Sequence, residues 1–450
     1  MRLLIKNGRV IDPAQRIDAQ LNLLAADGKI DCLTSELPEA DEVLDADGLI
    51  VCPGFIDMHS HEDPVKSGLL YRDEEKANLA CLLRMGVTTC LAGNCGDNFC
   101  EPADFLDLAE REGCYVNVLM LAGYTWFRKR YSSADRYSKV SPKESERICC
   151  ELSKALERGC AGVSFGLEYV PGMDCAELSA AAATCSASEK LIAAHIRGCA
   201  EQAVAAAEEV MEVGRQAGVP VELSHIGSMA GYGNMKDFLR AVEARRGIGQ
   251  KVWCDCYPYS AFSTTIGSAP YDDLSAIHCR PADIEMCEGE FKGCRCTEEI
   301  FEKERREHPE YLTVGHVMRE EDIRMALLHP NVMIGSDCFL SAGNGHPRAA
   351  GTFPRYLSRC TGENGLSLFA AIEKITALPA ERLGLRNKGS LHQGADADLV
   401  LFDAEKILDR STFSEPTLPP DGITAVLIGG QIAVRKGRIL KGRLGKAIRK

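Results

Sequence analysis

Pro53-Gly54-Phe55-Ile56-Asp57-Met58-His59-Ser60-His61 is an apolar run that ends in two histidines separated by one residue. In an extended strand alternate side chains share a face, so His59 and His61 point the same way at the strand's end. Two imidazoles on one face can grip one metal ion, and Pro53-Gly54 just upstream marks where a preceding segment stops. Taken alone, the pair reads equally well as the polar end of a buried strand. What decides is whether other ligand types come to the same place.

Downstream, a strand, helix, strand pattern repeats, with glycine near many helix ends. The spacing predicts a helix over 72–85 that stops at Gly86, followed by a strand over 87–92. Ser141-Pro142-Lys143-Glu144 is a capping box with proline at the first helical position, opening a helix that runs to Arg158 and stops at Gly159. Further strands are expected over 115–121, 162–165, 191–195, 221–225, 252–257 and 332–335, with amphipathic helices such as 201–216 between them. Repeated units over 54–385 make the fold class α/β and favour a TIM (β/α)8 barrel, with a doubly wound open sheet as the structural alternative.

The flanks differ. Residues 1–53 and 386–450 alternate short β-rich runs with turns at Asp27-Gly28, Asp47-Gly48 and Gly429-Gly430, which predicts one small β-sandwich domain formed by both termini. Between Tyr259 and the last barrel strand the chain is far longer than a βα loop requires. Residues 262–315 are therefore expected to be an insertion before that strand, lying over the barrel mouth as a substrate lid and containing a charged helix over 298–307.

Composition narrows the class of partner. A net charge of -13 over 450 residues argues against nucleic acid or an anionic membrane surface and leaves a small-molecule substrate. No apolar stretch is long enough to span a bilayer, and the start lacks a secretory pattern, so a cytoplasmic location is expected. The 21 cysteines are scattered and odd in number, which reads as reduced thiols. One local cluster, Cys279, Cys287, Cys294 and Cys296, matches no standard zinc spacing. Nothing in the sequence decides between a monomer and a homo-oligomer.

Barrel active sites form at the C-terminal ends of the strands. There the expected strands carry His59 and His61, Gly93-Asn94-Cys95-Gly96, His195-Ile196-Arg197, Ser224-His225, and Gly335-Ser336-Asp337. Each has an ordinary structural reading, a bonded core histidine, a small thiol, a capping aspartate; together they would have to coincide at one level of the barrel. Imidazole and thiolate suit zinc, and a thiolate can bridge two metals. A metal acidifies a bound water and polarises a carbonyl, which leaves Asp337 as the natural proton shuttle to a leaving amine.

The chain resembles the amidohydrolase superfamily from Asn7-Gly8 through the terminal sheet, and within it the D-aminoacylase (N-acyl-D-amino-acid deacylase) family. The motifs that carry this are Pro53 to His61, Gly93-Asn94-Cys95-Gly96, Gly166-Leu167-Glu168-Tyr169, Asp255-Cys256-Tyr257-Pro258-Tyr259, Gly335-Ser336-Asp337, and His346-Pro347-Arg348 with Gly351-Thr352-Phe353-Pro354-Arg355. The resemblance implies a tight zinc on Cys95, His195 and His225, a second, weaker position at His59 and His61, and Asp337 as general acid/base. It further implies Tyr257, Ser263 and Arg348 as contacts to the substrate's carboxylate. Cys95 stands where most of the superfamily uses a carboxylated lysine, which disfavours dihydroorotase and hydantoinase. In one departure, a lysine that some members place two residues past the histidine is absent, His225 being followed by Ile226-Gly227. Arg197, His316 or His346 could replace that cation.

The expected enzyme is thus a zinc-dependent amidohydrolase that cleaves N-acyl-D-amino acids to a carboxylate and a free D-amino acid. The alternatives are a cyclic-amide or dipeptide hydrolase of the same superfamily (dihydroorotase, hydantoinase or isoaspartyl dipeptidase-like) and a non-catalytic structural relative.

Overall fold

The computed structural model describes every residue except Met1, Glu75, residues 187–189 and Asn364. Eight short, almost wholly buried strands form its centre: β1 (Phe55–Asp57), β2 (Val87–Ala92), β3 (Asn117–Gly123), β4 (Gly162–Gly166), β5 (Leu191–His195), β6 (Val221–Leu223), β7 (Val252–Cys256) and β8 (Val332–Ile334). Each pairs in parallel with the next in chain order. β8 returns to the β1 edge, where the Met58 N–H donates to the Ile334 carbonyl at 3.3 Å and Ser60 bridges to Cys338. With helices between successive strands, this is a nearly closed (β/α)8 barrel, and the open-sheet alternative falls away. Ile56, Leu91, Leu119, Leu191, Trp253 and Met333 pack together in its lower interior, and the ligand-type side chains stand above them.

The local signals act as expected where they are strongest. Ser141 and Glu144 make both bonds of the capping box on the helix Pro142–Glu157, and Gly159 follows in a left-handed conformation. The helix expected over 72–85 begins later, at Asn78–Arg84. The Asp63 carboxylate accepts from the Asn78 and Leu79 amides at 2.6 and 3.0 Å and so fixes the start there. β6 stops at Leu223 because His225 turns left-handed, with φ 35°. β1 likewise ends at Asp57, short of the histidines. The Asp337 N–H donating to the His59 carbonyl at 2.7 Å, and the His61 N–H donating to the Cys338 carbonyl at 3.2 Å, extend its alignment with the chain beyond β8.

A second sheet joins the two ends of the chain. Its strands run, edge to edge, Arg438–Ile439, Gln431–Arg435, Ile423–Ile428, Leu399–Phe402, Ile50–Pro53, Arg2–Asp12, Ile17–Ala26 and Lys29–Thr34, with Glu42–Asp45 also on Arg2–Asp12. It has its own core around Leu3, Ile5, Leu23, Leu399 and Leu427. Ile50–Pro53 runs straight into β1 through Gly54, where a Cβ would come within 2.1 Å of the Thr88 hydroxyl; only glycine fits this crossing.

Between β7 and β8, Phe262–Thr265, Ile284–Met286 and Leu312–Gly315 form a three-stranded antiparallel sheet, accompanied by the helix Glu298–Glu307. It faces the loop 132–140: Arg136 Nη1 donates to the Gly267 carbonyl at 3.0 Å and the Tyr137 hydroxyl to Asp272 at 2.7 Å. Among the described residues, Cys279, Cys287, Cys294 and Cys296 do not gather into a metal-holding group, and all are free thiols. At the opposite, lower end, residues 445–448 lie along the start of β3: Cys114 and Gly445 exchange N–H···O bonds of 2.8 and 2.9 Å, and Ile448 packs on the barrel interior. No helix among the described residues is long and apolar enough to cross a membrane.

Candidate metal centre and active-site cavity

Six side chains converge at the upper end of the barrel in two groups that share one atom. His59, His61, Cys95 and Asp337 form one group, and Cys95, His195 and His225 the other; within each, the donor atoms lie within 4.8 Å of one another. All five residues expected as metal ligands, and Asp337, are therefore brought together. Cys95 sits on a tight turn in which Gly93, Cys95 and Gly96 are all left-handed, with φ 77°, 55° and 80°. At Gly96 a Cβ would lie 2.7 Å from the Gly166 backbone nitrogen, so the turn presses against the end of β4. His225 and Asp337 are left-handed as well, with φ 35° and 50°. A non-glycine residue held this way costs about 1–3 kcal/mol, which the surrounding packing must supply.

Three of the four imidazoles have one nitrogen engaged on the outside, while His61 Nε2 faces Asp337 Oδ1 within the cluster at 3.3 Å. His59 Nδ1 lies 3.2 Å from Asp255 Oδ2, His195 Nε2 lies 2.7 Å from Glu168 Oε2, and the Ser228 hydroxyl bonds His225 Nδ1 at 2.9 Å. The other nitrogens of His59 and His225 turn inward, each Nε2 within 3.5 Å of Cys95 Sγ. His195 Nδ1 is buried with no partner at all. Asp255 also accepts the His225 N–H at 3.0 Å, so one carboxylate aligns ligands from two strands. Gly335 permits this layer: a Cβ there would meet Asp255 Oδ1 at 2.5 Å and His59 Cβ at 2.6 Å.

Charge is arranged to match. Burial would raise the Cys95 thiol, but His225 and His59 outweigh it and hold it well below the ordinary thiol range. Burial also opposes charge on Asp337, yet Arg348, His61 and His59 hold it well below the usual carboxylate range. Against burial, Asp337 and Cys95 push His61 up to about 9, and Cys95 and Glu168 do the same to His195. A thiolate and a carboxylate thus face protonated imidazoles whose protons a divalent cation would displace.

Comparison with known proteins gives the lineage. Residues 76–434 match the model of the amidohydrolase family. An N-acyl-D-glutamate deacylase from Alcaligenes xylosoxydans xylosoxydans is 33% identical over 98% of this chain and 96% of its own length. A D-aminoacylase from the same organism is 31% identical over 95% and 93%. The crystal structure of N-acyl-D-glutamate deacylase from Bordetella bronchiseptica, complexed with zinc and a phosphonate inhibitor that mimics the tetrahedral intermediate, superposes with a TM-score of 0.88. It is 29% identical, over 100% of this chain and 99% of that one. The chain belongs to the amidohydrolase family.

In this amidohydrolase the donor set fits a zinc-type ion. Imidazole nitrogens and a thiolate are its preferred ligands, and the orphaned, buried His195 Nδ1 is explained by a cation beside Cys95. Glu168, Asp255 and Ser228 are the residues that motif reading left without a role. Two of them are carboxylates at strand ends, the one available signal, but which nitrogen each faces is a property of the fold. Carboxylates behind ligating histidines fix tautomer and ring orientation. Glu168→Gln is therefore expected to weaken metal binding by about 10–100-fold while the fold persists, which competition with a chromogenic chelator would read.

A cavity of about 410 Å³ opens over the cluster, lined at its inner end by His61, Cys95, Asp337 and Arg348. Tyr257, Ser263 and Arg348 gather in an adjoining recess with His195 and His225. The Tyr257 hydroxyl is buried and unpartnered, and the Arg348 guanidinium lies 4.7 Å from the Tyr257 ring centroid while its Nη2 pairs with Asp337 at 2.9 Å.

Arg197 does not join them. Its Nε and Nη2 fork onto Glu209 of the following helix, both at 2.9 Å, and it lines neither space. His316 bonds Glu285, and His346 is spent between the Ala261 carbonyl and the Arg348 amide. None of the three supplies the missing cation. At Gly227, where that lysine is absent, a Cβ would lie 2.7 Å from Ile323 Cδ1 and 3.0 Å from Cys256 Sγ, so a side chain there would press on the packing against the helix Glu320–Leu328.

Proposed function

We propose that this amidohydrolase is a zinc-dependent deacylase of N-acyl-D-amino acids. The observation that carries this reading is Cys95 shared between two ligand groups, with Asp337 beside them at the inner end of the cavity. Cys95, His195 and His225 would hold the tighter zinc, and His59 and His61 would wall a second, weaker position. The metal supplies an acidified water and a polarised scissile carbonyl.

The remaining work belongs to the side chains. Arg348 holds Asp337 at two points, Nη2 to the carboxylate at 2.9 Å and Nε to the backbone carbonyl at 2.8 Å, so the carboxylate cannot swing away. Asp337 takes a proton from the attacking water and returns it to the amide nitrogen as the carbon–nitrogen bond breaks, releasing a carboxylate and a free amino acid. Tyr257, Ser263 and Arg348 receive the carboxylate of the amino-acid half. The sheet between β7 and β8 roofs the cavity and limits water.

A panel on zinc-loaded protein tests this: N-acetyl-D- and L-amino acids, a hydantoin, dihydroorotate and an isoaspartyl dipeptide. Turnover confined to the N-acetyl-D-amino acids is expected. Hydrolysis of the cyclic amides or the dipeptide instead would replace the reading with a cyclic-amide or dipeptide hydrolase. Inertness toward all of them with zinc bound would leave a non-catalytic relative.

A further inference from the structure

Four cationic side chains besides the histidines line the cavity; three already face a carboxylate, and of these Arg348 is assigned the substrate's amino-acid carboxylate, so a second substrate carboxylate needs another partner. Arg128 is held by Glu177 at 2.8 Å and by the carbonyls of the loop it supports, Lys129 by Asp97 at 2.7 Å, and Arg348 by Asp337. Among the described residues, Arg136 is the one of the four that pairs with no carboxylate. The neighbouring Asp135 lines the same wall, but its carboxylate is turned to the Tyr137 and Ser138 amides, at 2.9 and 2.8 Å.

Arg136 is nonetheless held in place. Its carbonyl accepts the Gly172 N–H at 2.8 Å, and the loop carrying it is tied down by Arg128. Nη1 spans the mouth to the Gly267 carbonyl at 3.0 Å, which leaves Nε and Nη2 without a protein acceptor. A guanidinium positioned in this way forks onto a carboxylate with little further ordering. The wall of the same cavity also carries Val170, Leu312 and Phe339, apolar surface suited to methylenes.

We propose that Arg136 reads the end of the substrate's side chain, so that the preferred substrates are N-acyl-D-amino acids with an acidic side chain. This rests on the deacylase reading of the same site and adds to it a substrate class and the residue that sets it.

The test compares kcat/KM for N-acetyl-D-glutamate and N-acetyl-D-glutamine, which differ only in the terminal charge, on wild type, Arg136→Gln and Arg136→Lys, each loaded with zinc. Wild type should favour the acid by about tenfold or more, the effect of one charge-assisted hydrogen bond. Arg136→Gln should bring the ratio toward one through a higher KM for the acid. Arg136→Lys, which keeps the charge but not the fork, should restore part of the preference and show that the glutamine variant is not merely misfolded. A wild-type ratio near one, a ratio unmoved by Arg136→Gln, or equal losses on both substrates would overturn the role of Arg136 and leave the deacylase reading intact. Turnover of neither substrate, nor of any other N-acetyl-D-amino acid, by zinc-loaded wild type would overturn the deacylase reading itself, and Arg136's role with it.

Discussion

Asp337→Asn is expected to keep its metal and lose turnover by about 10³-fold, the scale of one positioned acid/base group. The substitution preserves shape and keeps an oxygen toward His61, 3.3 Å away in the wild type, but cannot take up a proton. It also leaves Arg348 without the carboxylate that neutralises it, so a modest loss of stability should accompany the loss of activity. Metal analysis alongside single-turnover kinetics separates the two effects. Substantial residual activity at full metal occupancy would remove Asp337 from the proton path.

Cys95→Ala should strike the metal itself. A structural zinc site binds with roughly 10–16 kcal/mol spread over its ligands, so one thiolate carries on the order of 3 kcal/mol, about a hundredfold in affinity. Here both ligand groups would lose a member, because the same sulfur belongs to each. The variant should emerge from dialysis nearly metal-free and inactive. His59→Ala/His61→Ala, in contrast, should still retain one zinc on Cys95, His195 and His225. A double variant without metal, or a Cys95→Ala protein that holds zinc normally, would return the histidine pair to the central role.

Much of this architecture was legible in the chain because its signals are periodic. Strand ends recur with ligand-type residues, and Cys95, His195, His225 and Asp337 stand at those ends in the sequence and converge in the fold. The misplaced residue, Arg197, shows the limit. It follows His195 closely, but whether its guanidinium meets substrate or Glu209 depends on how the next helix packs, and spacing carries no such information. The same holds for Glu168 and Asp255, whose worth lies in the nitrogen each one faces. Least legible of all are the left-handed conformations of Cys95, His225 and Asp337, since only a few per cent of non-glycine residues enter that region, even though Asp and His do so more often than most, and no local pattern announces which ones.

The strip 445–448 along the foot of β3 bears on how the molecule is made. It follows all eight barrel strands in the chain, as does Leu399–Phe402, which flanks the strand leading into β1. During synthesis the barrel strands therefore emerge while one end of their interior is still unsealed and the neighbouring sheet lacks half its partners. At the usual ribosomal pace of about 5–20 residues per second, the stretch from Ile334 to Ile448 takes roughly 6–20 s. Chaperone demand and sensitivity to expression temperature should be set there, by late-arriving strands.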